Sequence, residues 1–334
     1  MDRNSGPIFI VGASRSGTTM LRLILNGHSR IAIPGEMKYF HRLPGRALEQ
    51  WRSPDWNDPA LVGFLQNYAS RLANILNGMD VTDVDFANAA RQAGNLKQPF
   101  QQLLERWVAV HGKKRWGEKT PRNLFLADGI IDMFPDARFI YMYRDPRGTV
   151  SSMNQIEYFP DDTAANALHW RDNVTYGRAV LERSVPSTQR HNVRYESLVS
   201  DPATEVATIC EFLGESYEPA MLNFHETSQA WMGTIRTPNI KRPISADNKD
   251  KWRQLLSNRQ QRTIETICAA EMRALGYEPE LPVPGVVAAV GAFIQVARVR
   301  LSRRVGLLRA RLRGFPGKRI NTARTIDSKA IQTR

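Results

Sequence analysis

A glycine-bounded loop near the N-terminus has the residue types that bind a phosphate or sulfate group. The loop GASRSGTT, residues 12–19, follows an apolar run at residues 8–11 and precedes a helical pattern at residues 20–25. Glycines let backbone amides approach an anion closely, and the following helix adds unpaired N–H groups and the positive end of its dipole. An ordinary serine-rich turn is the alternative, but the order of strand, loop and helix favours an anion cradle. The residues that we predict to bind the anion are Gly12, Ser14, Arg15, Ser16, Gly17, Thr18 and Thr19.

The position of the cation separates this loop from that of the nucleoside triphosphatases. Their signature has a lysine directly after the last glycine, whereas Thr18 and Thr19 follow Gly17 here. A cation lies instead within the loop, as Arg15, whose guanidinium can bind two oxygens of a departing phosphate. This pattern favours a transfer in which the nucleotide leaves and no metal is needed, over a nucleotide kinase or ATPase.

A second candidate anion-binding residue, Arg144, follows the apolar run at residues 139–143. Asp145 and Pro146 suit the cap and the first turn of a helix. We therefore expect Arg144 at the carboxyl edge of a parallel strand, where open α/β sheets bind their ligands. A surface ion pair between Arg144 and Asp145 is the alternative interpretation.

These two segments resemble the sulfotransferases that use 3′-phosphoadenylyl sulfate (PAPS). The loop is similar to their 5′-phosphosulfate-binding loop, in the branch with arginine in the loop that includes tyrosylprotein and carbohydrate sulfotransferases. The segment RDPRGTVSS, residues 144–152, resembles the block whose arginine and serine hold the 3′-phosphate of the cofactor. The resemblance thus implies that role for Arg144 and Ser152.

Three later segments extend the resemblance: WGEKTP, VRYESL and KWR. The resemblance implies an active-site role for Lys119 and nucleotide contacts for Tyr195, Lys251 and Arg236. Taken from the residues alone, Tyr195 also suits a core aromatic at a strand end, and Lys251 a solvated charge.

Sulfuryl transfer to an alcohol requires in-line attack, removal of the hydroxyl proton, and stabilisation of charge on the leaving phosphate. Glu36 lies in a loop after the second apolar run, at the position of the base proposed for the arginine-loop branch, so the resemblance implies that it takes the proton. Arg15 and Lys119 are the candidates for charge stabilisation. A surface carboxylate at Glu36 and an ion pair between Lys119 and Glu118 are the alternatives.

The secondary structure that positions these residues is indicated by short apolar runs that alternate with longer helical segments. Strands are predicted at residues 7–11, 31–33, 138–143 and 192–195. Helices are predicted at residues 17–26, 99–111, 122–133, 146–155, 164–183, 202–212 and 259–275. This order predicts an α/β fold: a P-loop-like three-layer domain over residues 1–280, with a central parallel sheet and a helical insertion at about residues 42–95.

Charge is concentrated in a C-terminal tail, residues 281–334. The 334 residues carry a net charge of +13, of which the tail contributes +11 through twelve basic residues and one acid. An apolar stripe at helical spacing runs along the tail, from Phe293 to Leu312, with most arginines off it. The pattern predicts a basic helix that either lies on an anionic membrane surface or docks on its own domain. A nucleic-acid partner is disfavoured because the rest of the chain is nearly neutral.

The composition limits the expected cellular location and the expected partners of the protein. No apolar run is long enough to cross a membrane, and two cysteines without a secretory signal favour the cytoplasm, with peripheral attachment to the inner face of the membrane left open. The six histidines show no metal-ligand spacing, so no metal is predicted. The acceptor predicted first is a hydroxyl of a carbohydrate, glycolipid or lipid-linked sugar, and a tyrosyl peptide is the second choice.

Overall fold

The computed structural model describes residues 6–73, 75–76, 78–81, 84–227, 242–281, 297–299 and 301. The chain forms two compact units. The first contains the N-terminal part through Arg144 together with Ala179–Asp250, and the second contains Asp145–Arg178 and the residues from Lys251 onward. The tail predicted after residue 280 lies almost entirely outside the described residues, so its boundary stays a prediction.

Within the described residues, five parallel strands form the sheet of the first unit. They are β1 Ile8–Gly12, β2 Ile31–Ala32, β3 Arg115–Lys119, β4 Arg138–Tyr143 and β5 Arg190–Arg194. Their order across the sheet is β2-β3-β1-β4-β5, and in register Phe9 of β1 lies between Glu118 of β3 and Phe139 of β4. The predicted α/β fold with a central parallel sheet is confirmed, and four of the strands fall on predicted ones.

The sequence analysis predicted no strand at β3, although β3 pairs with both β1 and β2. All five of its residues are buried, yet three of them, Arg115, Glu118 and Lys119, are charged. A search for apolar periodicity misses such a strand because its side chains are stabilised by particular partners and not by apolar contact. Arg115, for example, donates to the backbone oxygens of Gly6 and Leu213 at 2.8 and 2.7 Å.

The described helices connect and cover the strands. In chain order they are α1 Thr18–Asn26, α2 Tyr39–Arg42, α3 Pro59–Gln66, α4 Phe86–Ala93, α5 Lys97–Val110, α6 Ala127–Met133, α7 Pro146–Asn154, α8 Thr163–Asp172, α9 Arg178–Ser184, α10 Tyr195–Ser200, α11 Pro202–Leu213, α12 Phe224–Thr227, α13 Trp252–Leu255 and α14 Asn258–Ala274. Two of the helices are shorter than predicted. The one at residues 122–133 begins as the 3-10 turn Pro121–Leu126, and the one at residues 164–183 is interrupted by the π turn Asn173–Gly177.

Hydrophobic clusters lie on both faces of the sheet, because successive side chains of a strand point to opposite sides. On one face, Phe9 and Phe139 pack with aromatic residues of the insertion region, including Tyr68 and Phe86. The other face packs against α1 and α11, through residues such as Ile10. Residues 42–95 thus supply a large part of one core layer, and their described part contains helices and turns but no strand, as predicted.

Of the predicted tail, residues 281, 297–299 and 301 are described. The Arg298 guanidinium lies 2.6 Å from the Asp162 carboxylate, and Val299 is buried. These contacts agree with the alternative in which part of the tail docks on its own protein. In the part of the chain that the structure describes, no helix has the length and apolar character needed to cross a membrane.

Candidate active site

The loop between β1 and α1 is held in an unusual backbone conformation. Gly12, Arg15 and Gly17 all have positive φ angles, of 152°, 70° and 97°. A side chain at Gly12 would place its Cβ 2.2 Å from the Met142 carbonyl oxygen, so the loop can approach β4 only with glycine there. Arg15 is one of two described residues other than glycine with positive φ, a conformation that costs free energy and is concentrated at ligand sites. Positive φ angles also occur in the backbone nests that bind anions.

The loop also contains donors suited to an anion. Ser16 is fully buried, and its hydroxyl has no hydrogen-bond partner. A buried hydroxyl without a partner is unfavourable unless a ligand satisfies it. In addition, Gly17 caps α1 without any side-chain hydrogen bond to its first turn. The residues of the loop therefore fit a phosphate or sulfate group.

An ion pair lies beside the loop. The Lys119 ammonium, at the end of β3, donates to Glu36 Oε1 at 2.8 Å and to Thr19 Oγ1 at 3.2 Å. Burial alone would raise the pKa of Glu36, but the charge and hydrogen bond of Lys119, with smaller contributions from Lys38 and His41, outweigh it, so the pKa lies below the ordinary glutamate value. Burial lowers the pKa of Lys119, with Glu36 opposing that effect. Glu36 is thus a carboxylate at neutral pH, as a base must be, and Lys119 pairs with it instead of with Glu118.

Arg144 lies on the other side of the loop. Its guanidinium donates to the carbonyl oxygens of Arg15, at 3.4 Å, and Asn248, at 2.8 Å. It also lies over the ring of Tyr195, 4.1 Å from the centroid. Burial and the nearby Arg144 charge both lower the pKa of Arg15. Two guanidinium groups this close repel each other, and an anion with two separate negative groups would relieve that repulsion.

Asp145, the residue after Arg144, is the N-cap of α7. Its side chain caps α7, as predicted, by accepting from the backbone N–H of Arg147. The Arg147 guanidinium also binds the Asp145 carboxylate, with one N–O distance of 2.7 Å, and it binds the Glu265 carboxylate at 2.9 Å. Arg147 also lies 4.4 Å from the ring centroid of Trp252, next to Lys251. This buried network organises the second unit.

The predicted site residues divide between the two units. Lys119, Glu36, Arg144, Tyr195 and the loop residues 12–19 belong to the first unit and form the contacts just described. Ser152, which is half-buried on α7, and Lys251, which is exposed before α13, belong to the second. Arg236 lies outside the described residues.

The structure adds site residues that the sequence analysis missed. Arg22 of α1 is buried and donates to the Ile33 carbonyl oxygen at 3.3 Å, and its charge acts on Glu36. Burial lowers the pKa of Arg22 to about 10. A single arginine in the apolar run MLRLIL was the signal that could have identified it. The burial of Glu118, next to Lys119, was not predicted either.

In the described residues, no three histidine, cysteine, aspartate or glutamate side chains are grouped as a metal site would require. Because part of the chain lies outside the description, the expectation of a reaction without a metal stays a prediction.

Comparison with known proteins identifies the family of this chain. Residues 7–219 match the profile of the sulfotransferase family. The chain therefore belongs to the sulfotransferase family, and it is an enzyme of that class. The resemblance seen in the loop and in the Arg144 segment is confirmed at the level of the family.

Individual relatives are more distant. The chain is 26% identical to nodulation protein NoeE of Sinorhizobium fredii over 311 residues, which cover 84% of this chain and 69% of that protein. It is 25% identical to protein-tyrosine sulfotransferase A of Caenorhabditis elegans over 300 residues, covering 85% of this chain and 70% of the other. Among solved structures, the sulfotransferase domain of the Synechococcus PCC 7002 olefin synthase superposes with a TM-score of 0.57 at 23% identity, covering 83% of this chain and 95% of the other. That superposition supports the fold.

Proposed function

We propose that the protein transfers the sulfuryl group of PAPS to an acceptor hydroxyl by direct in-line displacement. The observation that supports this most strongly is the Lys119 ammonium, which bridges the Glu36 carboxylate and Thr19 of the anion-binding loop. A base, a cation and a phosphate cradle thus adjoin one another within one unit. That combination is what transfer from a phosphosulfate to an alcohol requires.

In this proposal the loop residues hold the 5′-phosphosulfate, which supplies an activated sulfuryl group with a nucleotide phosphate as leaving group. Backbone amides of the loop and the buried Ser16 hydroxyl donate to its oxygens. Arg144 and Ser152 bind the 3′-phosphate, with nucleotide contacts from Tyr195, Arg236 and Lys251. No metal is needed, because the cations of the chain compensate the charge.

The transfer itself needs one proton acceptor and two cations. Glu36 takes the proton from the acceptor hydroxyl as its oxygen bonds to sulfur and the bond between sulfur and the bridging oxygen breaks. Arg15 and Lys119 stabilise the negative charge that the leaving phosphate gains. Once Glu36 is protonated, Lys119 loses its ionic partner and becomes available to that phosphate.

The acceptor that we propose first is a hydroxyl of a carbohydrate, glycolipid or lipid-linked sugar. A local match of 32% identity over 90 residues to carbohydrate sulfotransferase 2 of Mus musculus supports it. A tyrosyl peptide is the second candidate, and it is favoured by the relatives named protein-tyrosine sulfotransferases, one of which matches 81% of this chain. Incubation with ³⁵S-labelled PAPS and a panel of glycans, glycolipids and tyrosyl peptides distinguishes the two.

The donor is tested by calorimetric titration with 3′-phosphoadenosine 5′-phosphate, the desulfated product, in the absence of metal. We expect tight binding to the wild type and at least ~10-fold weaker binding to Arg15→Ala and Arg144→Ala, because charge-assisted contacts to phosphate contribute about 1.5–3 kcal/mol. Arg46→Ala, which changes an exposed arginine paired with Glu49, is the control. Preference for ATP with Mg²⁺ would instead support a nucleotide kinase.

We further propose that the enzyme is cytoplasmic and that its basic tail attaches it to an anionic membrane surface. Deletion of residues 282–334 is expected to move the protein from the membrane pellet to the supernatant. Unchanged fractionation would favour the docked tail that the contact between Arg298 and Asp162 suggests.

A further inference from the structure

Glu118 is a fully buried carboxylate next to Lys119 that has no part in the transfer described above. The two residues are neighbours in β3, so their side chains point to opposite faces of the sheet. Lys119 reaches the phosphate loop and the proposed base. Glu118 is therefore separated from the reacting groups, and a buried charge in such a position needs compensating partners.

Two donors bind the Glu118 carboxylate. The Thr120 hydroxyl donates to Oε1 and the Asn123 side-chain amide to Oε2, each at 2.5 Å. Both residues lie shortly after the end of β3.

The backbone at residues 37–38 is held from several sides. The Met37 carbonyl oxygen accepts from the Tyr68 hydroxyl at 3.1 Å. The N–H of Lys38 donates to Thr120 Oγ1 at 3.3 Å, the same hydroxyl that donates to Glu118. Lys38 itself has a positive φ of 56°, a conformation that needs support from its surroundings.

The loop after β2 is thus held to β3 and to the residue that follows β3 at two points. Glu36 binds Lys119 directly, and the Lys38 N–H is connected to Glu118 through the Thr120 hydroxyl. We propose that Glu118, by orienting the Thr120 hydroxyl, is a positioning residue that fixes the backbone at Lys38 and thereby holds the Glu36 carboxylate in place for proton removal. This inference rests on the proposed role of Glu36 as the base.

Hydrogen exchange tests the positioning without any substrate. In Glu118→Gln we expect the Lys38 amide to exchange at least ~10-fold faster, because a carboxylate no longer orients the Thr120 hydroxyl that accepts from it, while the amides of β1 keep their protection. Glu105→Gln, which changes an exposed glutamate of α5, is the matched control and should exchange like the wild type. If Glu118→Gln does not fold, Thr120→Val serves instead, and the Lys38 amide should again exchange faster. Unchanged exchange at Lys38 would overturn the inference.

Kinetics then test whether Glu118 acts through Glu36. The probe is PAPS with water as acceptor, and the variants are Glu36→Gln, Glu118→Gln and the double variant. Misplacement of a reacting group by about 1 Å can cost ~100-fold, so we expect each single variant to lose at least ~10-fold in rate, with affinity for 3′-phosphoadenosine 5′-phosphate unchanged. The double variant should be no slower than Glu36→Gln.

The outcomes separate the two hypotheses. If Glu36→Gln keeps the wild-type rate, the proposed base is wrong. If Glu36→Gln is slow but the effect of Glu118→Gln adds to it in full, or Glu118→Gln alone is as fast as the wild type, then the proposed base stands and the positioning role of Glu118 is wrong.

Discussion

The guanidinium of Arg144 lies 4.1 Å from the ring centroid of Tyr195, and the same ring packs against Gly17 of the anion-binding loop. Tyr195 is buried, with 6% of its surface exposed. The ring therefore supports two parts of the proposed nucleotide site at once. Tyr195 is thus a buried aromatic residue directly after a strand, and its contact with the nucleotide stays a prediction.

The stacking predicts a difference between two substitutions of Tyr195. Tyr195→Phe keeps an aromatic face under Arg144, so its affinity for 3′-phosphoadenosine 5′-phosphate should stay within about 3-fold of the wild type. Tyr195→Leu removes that face and should weaken binding by ~10-fold, in line with about 0.5–2 kcal/mol for such contacts. Calorimetric titration measures both. Equal affinities for the Phe and Leu variants would show that stacking contributes nothing.

Gly17 should tolerate no side chain. A Cβ there would lie 2.6 Å from the Tyr195 ring and 2.7 Å from the Met142 methyl group, at a φ of +97°. Gly17→Ala is therefore expected to lower the free energy of unfolding by about 1–3 kcal/mol and to weaken nucleotide binding. Gly63→Ala is the control, since nothing lies within 4 Å of its Cβ and alanine favours the helix α3. Urea unfolding should show the control to be at least as stable as the wild type.

The pKa of Glu36 should depend on Lys119. In the wild type the pKa of Glu36 lies below the ordinary value of 4.5: burial raises it, but the charge and hydrogen bond of Lys119, together with the charges of Lys38 and His41, outweigh burial. In Lys119→Ala that charge is absent and burial remains, so the pKa should rise, and the acid limb of the pH–rate profile should move to higher pH. Titration of ¹³C-labelled glutamate by NMR measures the shift, with Glu36→Gln to assign the resonance.

A second lysine provides the comparison for this titration. Lys38 lies 3.7 Å from Glu36 Oε2, and its side chain is 40% exposed, whereas that of Lys119 is 4% exposed. Solvent screens an exposed pair more strongly, so Lys38→Ala should raise the pKa of Glu36 by less. A larger effect from Lys38→Ala than from Lys119→Ala would contradict our account of the site.

Arg147 should be among the residues most important for stability in the second unit. Its guanidinium, which is 5% exposed, binds Asp145 and Glu265 and lies on Trp252. Arg147→Ala leaves two buried carboxylates without their cation and should destabilise the fold by about 3–5 kcal/mol. The exposed pair of Arg46 and Glu49 serves as the control, because such surface pairs contribute about 0–1 kcal/mol. Similar urea midpoints for Arg147→Ala and Arg46→Ala would refute the prediction.

The features that depend on local pattern were predictable from the sequence. The apolar runs of β1 and β4, the glycine loop and the Asp145 cap of α7 each lie within a few neighbouring residues, and all were predicted. So was the helix that follows the loop, because its start and its apolar periodicity can be read from a short window.

Which distant residues meet is set by the tertiary fold. Strand β3 was missed because it buries three charged residues, and the partners of Arg115 and Lys119 lie elsewhere in the chain. The ion pair of Lys119 with Glu36 joins residues 83 positions apart, and the hydrogen bond from the Lys38 N–H to Thr120 joins the same two segments. The periodicity of the sequence indicates which face of a helix or strand is apolar. A buried charge, however, is stable only where folding brings an oppositely charged or hydrogen-bonding partner to it, and the position of that partner depends on the whole fold.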